Sequence, residues 1–231
     1  MTFAYQALLK CNLRRHWEQR IGAFALYKPT HAPSSTRTPA NAENTNVSPS
    51  QKIKDLHEVI RGAETGMLTT RASDGCLHAR AMTPVGPYSE SQVNLTFIAN
   101  NASPKFQELQ NDAHVNVSFF DKSSTSWASF SGFAKVIEDR SVIKKHWNTR
   151  ISGYFGDVDE THKGDENDPR VVVIEVVPNE VRYWLSKSGG ISRGVQEVVK
   201  GVRGEVSIPG ELRTITAEEI QLVQGLGTTQ K

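Results

Sequence analysis

The sequence predicts a mainly β protein with inserted helices: an antiparallel barrel, closed or partly open. Three observations predict it. Short runs alternate apolar and polar residues, as in Val93, Leu95 and Phe97 against Asn94 and Thr96, the period of a half-buried strand. Two of the strand runs differ from the rest, a long one from Ser126 to Ile137 and a continuous β-branched one from Val171 to Val177. Helical stretches interrupt the strands irregularly, whereas a doubly wound parallel sheet needs regular strand–helix alternation.

In residues 1–28, Leu9, Leu13, Trp17, Ile21 and Phe24 recur at helical spacing with Arg14, Arg15 and Arg20 between them. An amphipathic, Arg-rich, acid-poor segment fits a mitochondrial presequence; the other reading is an accessory helix or an extension of no defined role. Residues 30–50 are Pro, Ser, Thr, Asn and Ala with almost no large apolar residue, the composition of a disordered linker. Residues 1–50 are thus expected to be extension and linker, and 51–231 the folded domain.

Within that domain, Ile53, Leu56, Val59 and Ile60 stripe a helix ending before Gly62. Met67 to Arg71 and Leu77 to Met82 are strands joined by Ser73-Asp74-Gly75, a hairpin turn signal. Val93 to Ile98 is the next strand. Asn100, Asn101 and Ala102 break the pattern. Ser103 offers an N-cap oxygen and Pro104 suits the first helical position, so a helix is expected from Pro104 to about Asn111, with Phe106 and Leu109 inward. Val115, Val117 and Phe119 restart the strand period. In Ser126 to Ile137, Ala128, Phe130, Ala134 and Val136 share one face and Gly132 interrupts. Asp139 to Trp147 reads as a helix and Gly156 to Arg170 as an acidic, solvated loop. Val171 to Val177 reads as a strand buried on both faces, and Val181 to Leu185 as a last short strand. Thr214, Glu218, Ile220, Leu222 and Val223 read as a C-terminal helix that Thr216 can cap and Gly225 can stop.

The 231 residues carry 27 basic and 25 acidic side chains, a net charge of +2. Residues 1–50 hold six of the basic and two of the acidic residues, so the domain itself is slightly acidic. That balance gives no case for nucleic acid or a membrane surface. No apolar run reaches transmembrane length and no secretory signal appears. Two cysteines, Cys11 and Cys76, make no disulfide framework and fit a reducing compartment. The expected location is cytoplasmic, or mitochondrial if residues 1–28 act as a presequence.

The joint between Ile98 and Lys105 carries the clearest chemistry. A strand running into a helix start leaves backbone N–H groups free, and Ser103 and Lys105 add a hydroxyl and a charge. Taken alone, this is either an anion site or an ordinary capped helix with a solvated lysine. Cys76 and His78 have a metal-like spacing with no second pair beside them, and a turn cysteine and a strand histidine explain them as well. The carboxylates between Asp157 and Asp168 lack the spacing of a calcium loop. His146 reads as helix surface. No GxSxG, Walker A or GxGxxG motif is present.

HARAM, TFIANNASPK, WASFSGFAKV and VVVIEVVPNEVRYW, in that order and spacing, resemble the FMN-binding split β-barrel of the pyridoxamine 5′-phosphate oxidase superfamily. Within it they look like the general stress protein type and its fungal light-induced members. WNTRISGYFGD and HKGDENDPR look like their signature loop. The resemblance covers residues 51 to about 225. It implies a Greek-key antiparallel barrel and a homodimer holding FMN between subunits, with the phosphate on basic residues. By position it implies that Arg80 opens the first FMN-binding strand, with Ala81 and Met82 following along the cofactor. It places Ile98 and Ala99 beside the cofactor before the turn, and Ser103 and Lys105 on the phosphate. Trp127 falls where a residue often reaches in from the other subunit, and Trp184 matches a tryptophan beside the flavin. For both tryptophans, ordinary core or dimer-interface packing is an equal reading.

Two departures narrow the implication. Pro104 stands where the oxidase has a second phosphate-binding arginine. After Trp184 the chain reads LSKSGGISRG, without the Arg-x-His substrate signature of the oxidase, and nearby Arg193 is not assigned that role. The resemblance therefore implies an FMN-dependent oxidoreductase on an unknown small substrate or a reduced nicotinamide cofactor. The alternative is a non-catalytic flavin-binding stress protein that stores FMN or senses redox state. No side chain stands out as a general acid or base.

Overall fold

The computed structural model describes residues 46–86, 89–186 and 210–228. The expected N-terminal helix and most of the linker, Cys11 and Arg193 lie outside the described residues. The elements in order are α1 (Pro49–Ala63), β1 (Gly66–Arg71), β2 (Leu77–Met82), β3 (Leu95–Asn100), α2 (Lys105–Asn111), β4 (His114–Phe120), β5 (Trp127–Ile137), α3 (Arg140–His146), α4 (Thr149–Ser152), β6 (Val171–Ser186), β7 (Gly210–Thr216) and α5 (Ala217–Thr228). No described helix is long and apolar enough to cross a membrane.

All strand pairs are antiparallel, in the order β2-β1-β4-β5-β6-β3, and β7 pairs with the second half of β6 beyond β3. Among the described residues no ladder joins the edge strands β2 and β3. Just past β2, however, the Val85 N–H donates to the Thr96 carbonyl at 2.8 Å, so the curled sheet nearly meets itself. The expected barrel is thus partly open. The main core lies inside the curl, where Leu68, Phe97, Val117, Phe119, Phe130, Ile174 and Tyr183 pack under α1.

The β-branched run behaves as its composition requires. Val172, Ile174 and Val176 join the main core, while Val171 and Val173 join a second cluster on the other face with Ile143 and Phe155. A strand covered on both faces needs no polar alternation. Local signals at the turns are also met. Asp74 Oδ1 accepts from the Cys76 N–H at 2.9 Å in the first hairpin. In the capping box that opens α5, the Thr216 hydroxyl accepts from the Glu219 N–H and the Glu219 carboxylate from the Thr216 N–H.

Four expectations are corrected. The two strands at Val171–Val177 and Val181–Leu185 are one strand, since Pro178 meets β5 at a bulge rather than ending the ladder. Gly132 does not interrupt β5. It lets the bulge close: a Cβ at this position would stand 2.1 Å from the Val177 carbonyl oxygen and 2.6 Å from the Pro178 Cα. Gly132→Ala is therefore expected to destabilise by about 1–3 kcal/mol through overpacking, read as a lower urea midpoint at unchanged slope. An unshifted midpoint would show that the bulge can spread freely. Thr214 lies on β7, not on the C-terminal helix. The acidic loop is not wholly solvated, because Asp168 is buried.

The missed strand β7 is held by charges from distant parts of the chain. The Arg213 guanidinium donates to Asp55 on α1 and, at 2.9 Å, to Glu211. Lys52 bridges from α1 to Glu219 at 2.8 Å and to the Thr214 carbonyl at 2.9 Å. Tyr183 donates to the Lys52 carbonyl at 2.9 Å, and burial pushes its phenol up to about 12.

Candidate functional site

The turn between β3 and α2 is stitched by its own side chains. Asn100 Oδ1 accepts from the Ala102 N–H at 2.9 Å, and the Ser103 hydroxyl donates to the Asn100 carbonyl at 2.8 Å. Ser103 is not the N-cap. Pro104 holds that position with no side-chain cap, because the Ser103 oxygen is taken: it also accepts from Lys105 Nζ at 2.6 Å. A loop from the far side braces the turn. Asn101 donates its N–H to the Arg170 carbonyl at 2.9 Å and its amide to the Pro169 carbonyl at 3.0 Å.

Lys105 is half-buried, its ammonium 5.5 Å from the Phe106 ring centroid. Burial, then the nearby Arg80 charge, push the ammonium below its ordinary range. Among the described residues no carboxylate pairs with it. The turn thus brings Ser103, Lys105 and Arg80 together.

Arg80 is held from three sides. Its Nη1 donates to the Leu68 carbonyl at 3.3 Å and to the Thr70 hydroxyl at 2.5 Å, and its Nη2 to Glu108 at 2.8 Å. Glu108 sits on the covered face of α2 with only 8% of its surface exposed. Its other oxygen meets His78 Nδ1 at 2.6 Å, and Thr70 donates to the oxygen that Arg80 uses. His78, then Thr70, and more weakly Arg80, bring the Glu108 carboxyl down to about 2 against burial. A depressed folded value means the group stabilises above its ordinary range, near 4.5. That contribution is lost as pH falls toward 2. The wild type is accordingly expected to lose on the order of 2 kcal/mol more than Glu108→Gln across this window, read by urea unfolding. Parallel curves would show that Glu108 keeps its ordinary carboxyl in the fold.

Sequence reasoning did not single out Glu108 or Thr70, and it weighed His78 only beside Cys76 as a metal-like pair, whereas its ring nitrogen meets Glu108. One signal existed: alternation in HARAM puts His78 and Arg80 on one face of β2, and Glu108 follows Lys105 by one turn of α2.

The other expected site residues divide between faces. Met82 packs against the main core, and Ala99 is inside it. Ala81, opposite Met67, is exposed on the outer face. Ile98 points away from Ala99 and packs on the second cluster. Trp127 and Trp184 are direct cross-strand partners, in one row with Phe120, on the outer face. Arg80, opposite buried Leu68, faces inward. Within one chain, then, the cationic group and the tryptophan pair lie on opposite faces of the sheet. The outer face also exposes Met67, Leu77, Phe120 and Phe133.

Comparison with known proteins gives three results. Residues 51–207 match the family model described as pyridoxamine 5′-phosphate oxidase like. The chain is 35% identical over 181 residues to Protein bli-3 of Neurospora crassa, covering 77% of this chain and 86% of that one. Among solved structures, a putative general stress protein 26 from Jannaschia sp. CCS1 has a TM-score of 0.54 at 19% identity, covering 70% of this chain and 97% of that one. A putative general stress family protein from Xanthomonas campestris has a TM-score of 0.50 at 22% identity, covering 62% and 92%. These two show a shared fold.

Proposed function

From a chain that belongs to the pyridoxamine 5′-phosphate oxidase-like family, we propose a flavoprotein that binds FMN across a homodimer and acts as a flavin-dependent oxidoreductase. The observation that carries the reading is the convergence of Arg80, Lys105 and Ser103, with Lys105 desolvated beside a second cation and paired to no carboxylate among the described residues. Two close cations in a half-buried place favour an anion, and a phosphate monoester supplies both charge and acceptor oxygens. Lys105 would meet it as a point charge, Arg80 through guanidinium N–H groups that Leu68, Thr70 and Glu108 leave over, and Ser103 by its hydroxyl.

The outer tryptophans fit the rest of the molecule. Trp127 and Trp184 offer adjacent aromatic surface to a flat ring. Because they lie on the face opposite Arg80, a site using both draws them from different subunits. The exposed Met67, Phe120 and Phe133 on the same outer face would then be covered by the second copy. When bound, the flavin supplies the electron transfer. The protein's own part is to hold its phosphate, cover its ring and exclude water. The reaction partner is an unknown small molecule or a reduced nicotinamide cofactor.

The test is an absorbance spectrum of the purified protein, followed by anaerobic NADPH. Flavin bands that bleach on addition are expected. Bands that persist with every donor would favour a flavin store or redox sensor over an enzyme. A colourless protein that takes up no added FMN would overturn the cofactor reading.

A further inference from the structure

We infer that Glu108 is a built-in counter-anion of the phosphate site, and that its ion pair with Arg80 holds the affinity for a phosphate monoester below what the two cations alone would give. The inference rests on the FMN reading and concerns how tightly that site grips.

Arg80 and Lys105 are close enough to feel each other's charge, yet of the two only Arg80 has a carboxylate among the described residues. Glu108 is nine-tenths buried, so its charge is little screened. Its two oxygens are committed to His78 on one side and to Thr70 and Arg80 on the other. A phosphate arriving at Arg80 therefore approaches a carboxylate that already balances that guanidinium. The site presents one uncompensated cation, Lys105, rather than two.

Removing Glu108 could instead weaken binding by letting Arg80 wander. The hydrogen bonds decide between these effects. Arg80 Nη1 is still held by the Leu68 carbonyl and the Thr70 hydroxyl, both on β1, directly opposite. With those anchors kept, the ordering lost is at most that of one side chain, worth about tenfold in affinity. Repulsion between a carboxylate and a single phosphate charge about 4 Å away is worth on the order of a thousandfold at an effective dielectric near 20. The charge effect wins, and Glu108 acts through Arg80 by setting the site's net charge.

The experiment compares FMN with riboflavin, which lacks the phosphate, by fluorescence titration of the full chain. Glu108→Gln, similar in shape and uncharged, is expected to tighten FMN about tenfold or more and leave riboflavin unchanged. A folded Glu108→Gln protein with FMN binding unchanged or weaker would overturn the inference. So would a change shared equally by riboflavin, which marks a merely structural role. If Glu108→Gln does not fold, His78→Arg reads the same interaction from the exposed side. It pairs Glu108 with a fixed charge and should tighten FMN several-fold, whereas His114→Arg, an added charge outside the network, should not. No difference between those two variants would also overturn it. A wild type that binds FMN no better than riboflavin would instead sink the phosphate site itself, so the two failures are distinct.

Discussion

Replacing Arg80 and Lys105 together by alanine is expected to weaken FMN by about 3–6 kcal/mol, since each charged hydrogen bond is worth roughly 1.5–3 kcal/mol. The structure gives reasons to expect the upper part of that range. Among the described residues Lys105 has only Ser103 as a hydrogen-bond acceptor, so the charge lost is the one most available to a ligand. Losing Arg80 leaves Glu108 ionised and without its cation, and that carboxylate then repels a phosphate. Riboflavin is the control: its affinity should fall far less, because the ring touches neither residue in the proposed site. Flavin fluorescence titration measures both. An unchanged FMN affinity in a folded double variant would remove the phosphate assignment, whatever the fate of the barrel.

The second large effect is on stability. Asp168→Ala is expected to cost about 3–5 kcal/mol, the range for removing one partner of a buried ion pair. The Asp168 side chain is fully buried. Its two oxygens accept from Arg170 Nε at 3.0 Å and Nη2 at 2.7 Å, and from the Gly164 N–H at 2.8 Å. Its own carbonyl accepts from Arg140 at 2.8 Å. The Arg170 contact above all, with the N–H bonds added, holds the carboxyl well below its usual range, so acid alone should not release it until strongly acidic pH. The effect should reach the candidate site, because the Arg170 and Pro169 carbonyls anchor Asn101 in the turn that presents Ser103 and Lys105. Urea unfolding should therefore show a lower midpoint, and the folded variant should bind FMN more weakly. A loss under about 1 kcal/mol would show that the loop stands without this pair.

Particular residues show how far sequence reasoning reached. Ser73-Asp74-Gly75 gave the hairpin because Gly75, at φ 87°, and the Asp74 carboxylate make that turn by themselves. Ser103 was placed at the right joint but in the wrong role, since its oxygen answers to Lys105 rather than to a helix N–H. The split of Val171–Ser186 into two strands failed at Pro178, which local rules read as a stop and the bulge opposite Gly132 accommodates. Strand β7 was missed because GELRTIT alternates too weakly to stand out, and Arg213 reads as a surface charge until Asp55 is placed beside it. Sequence separation hid Glu108 in the same way: nothing near it announces that Arg80 and His78, 28 and 30 residues away, will meet its carboxylate.

By itself, then, the sequence determined which residues face inward and where the chain turns. Both follow from periodicity and from backbone preferences that act over a few residues. Only the tertiary structure decided which charges share a pocket: Arg80 with Glu108 and Lys105, and Asp55 with Arg213. The physical reason is that burial sets the strength of a charge contact, and burial belongs to the assembled sheet. A lysine beside a helix start has the same local sequence whether water or an arginine lies next to it, and only the register of β1 on β2 and the seat of α2 place the arginine there.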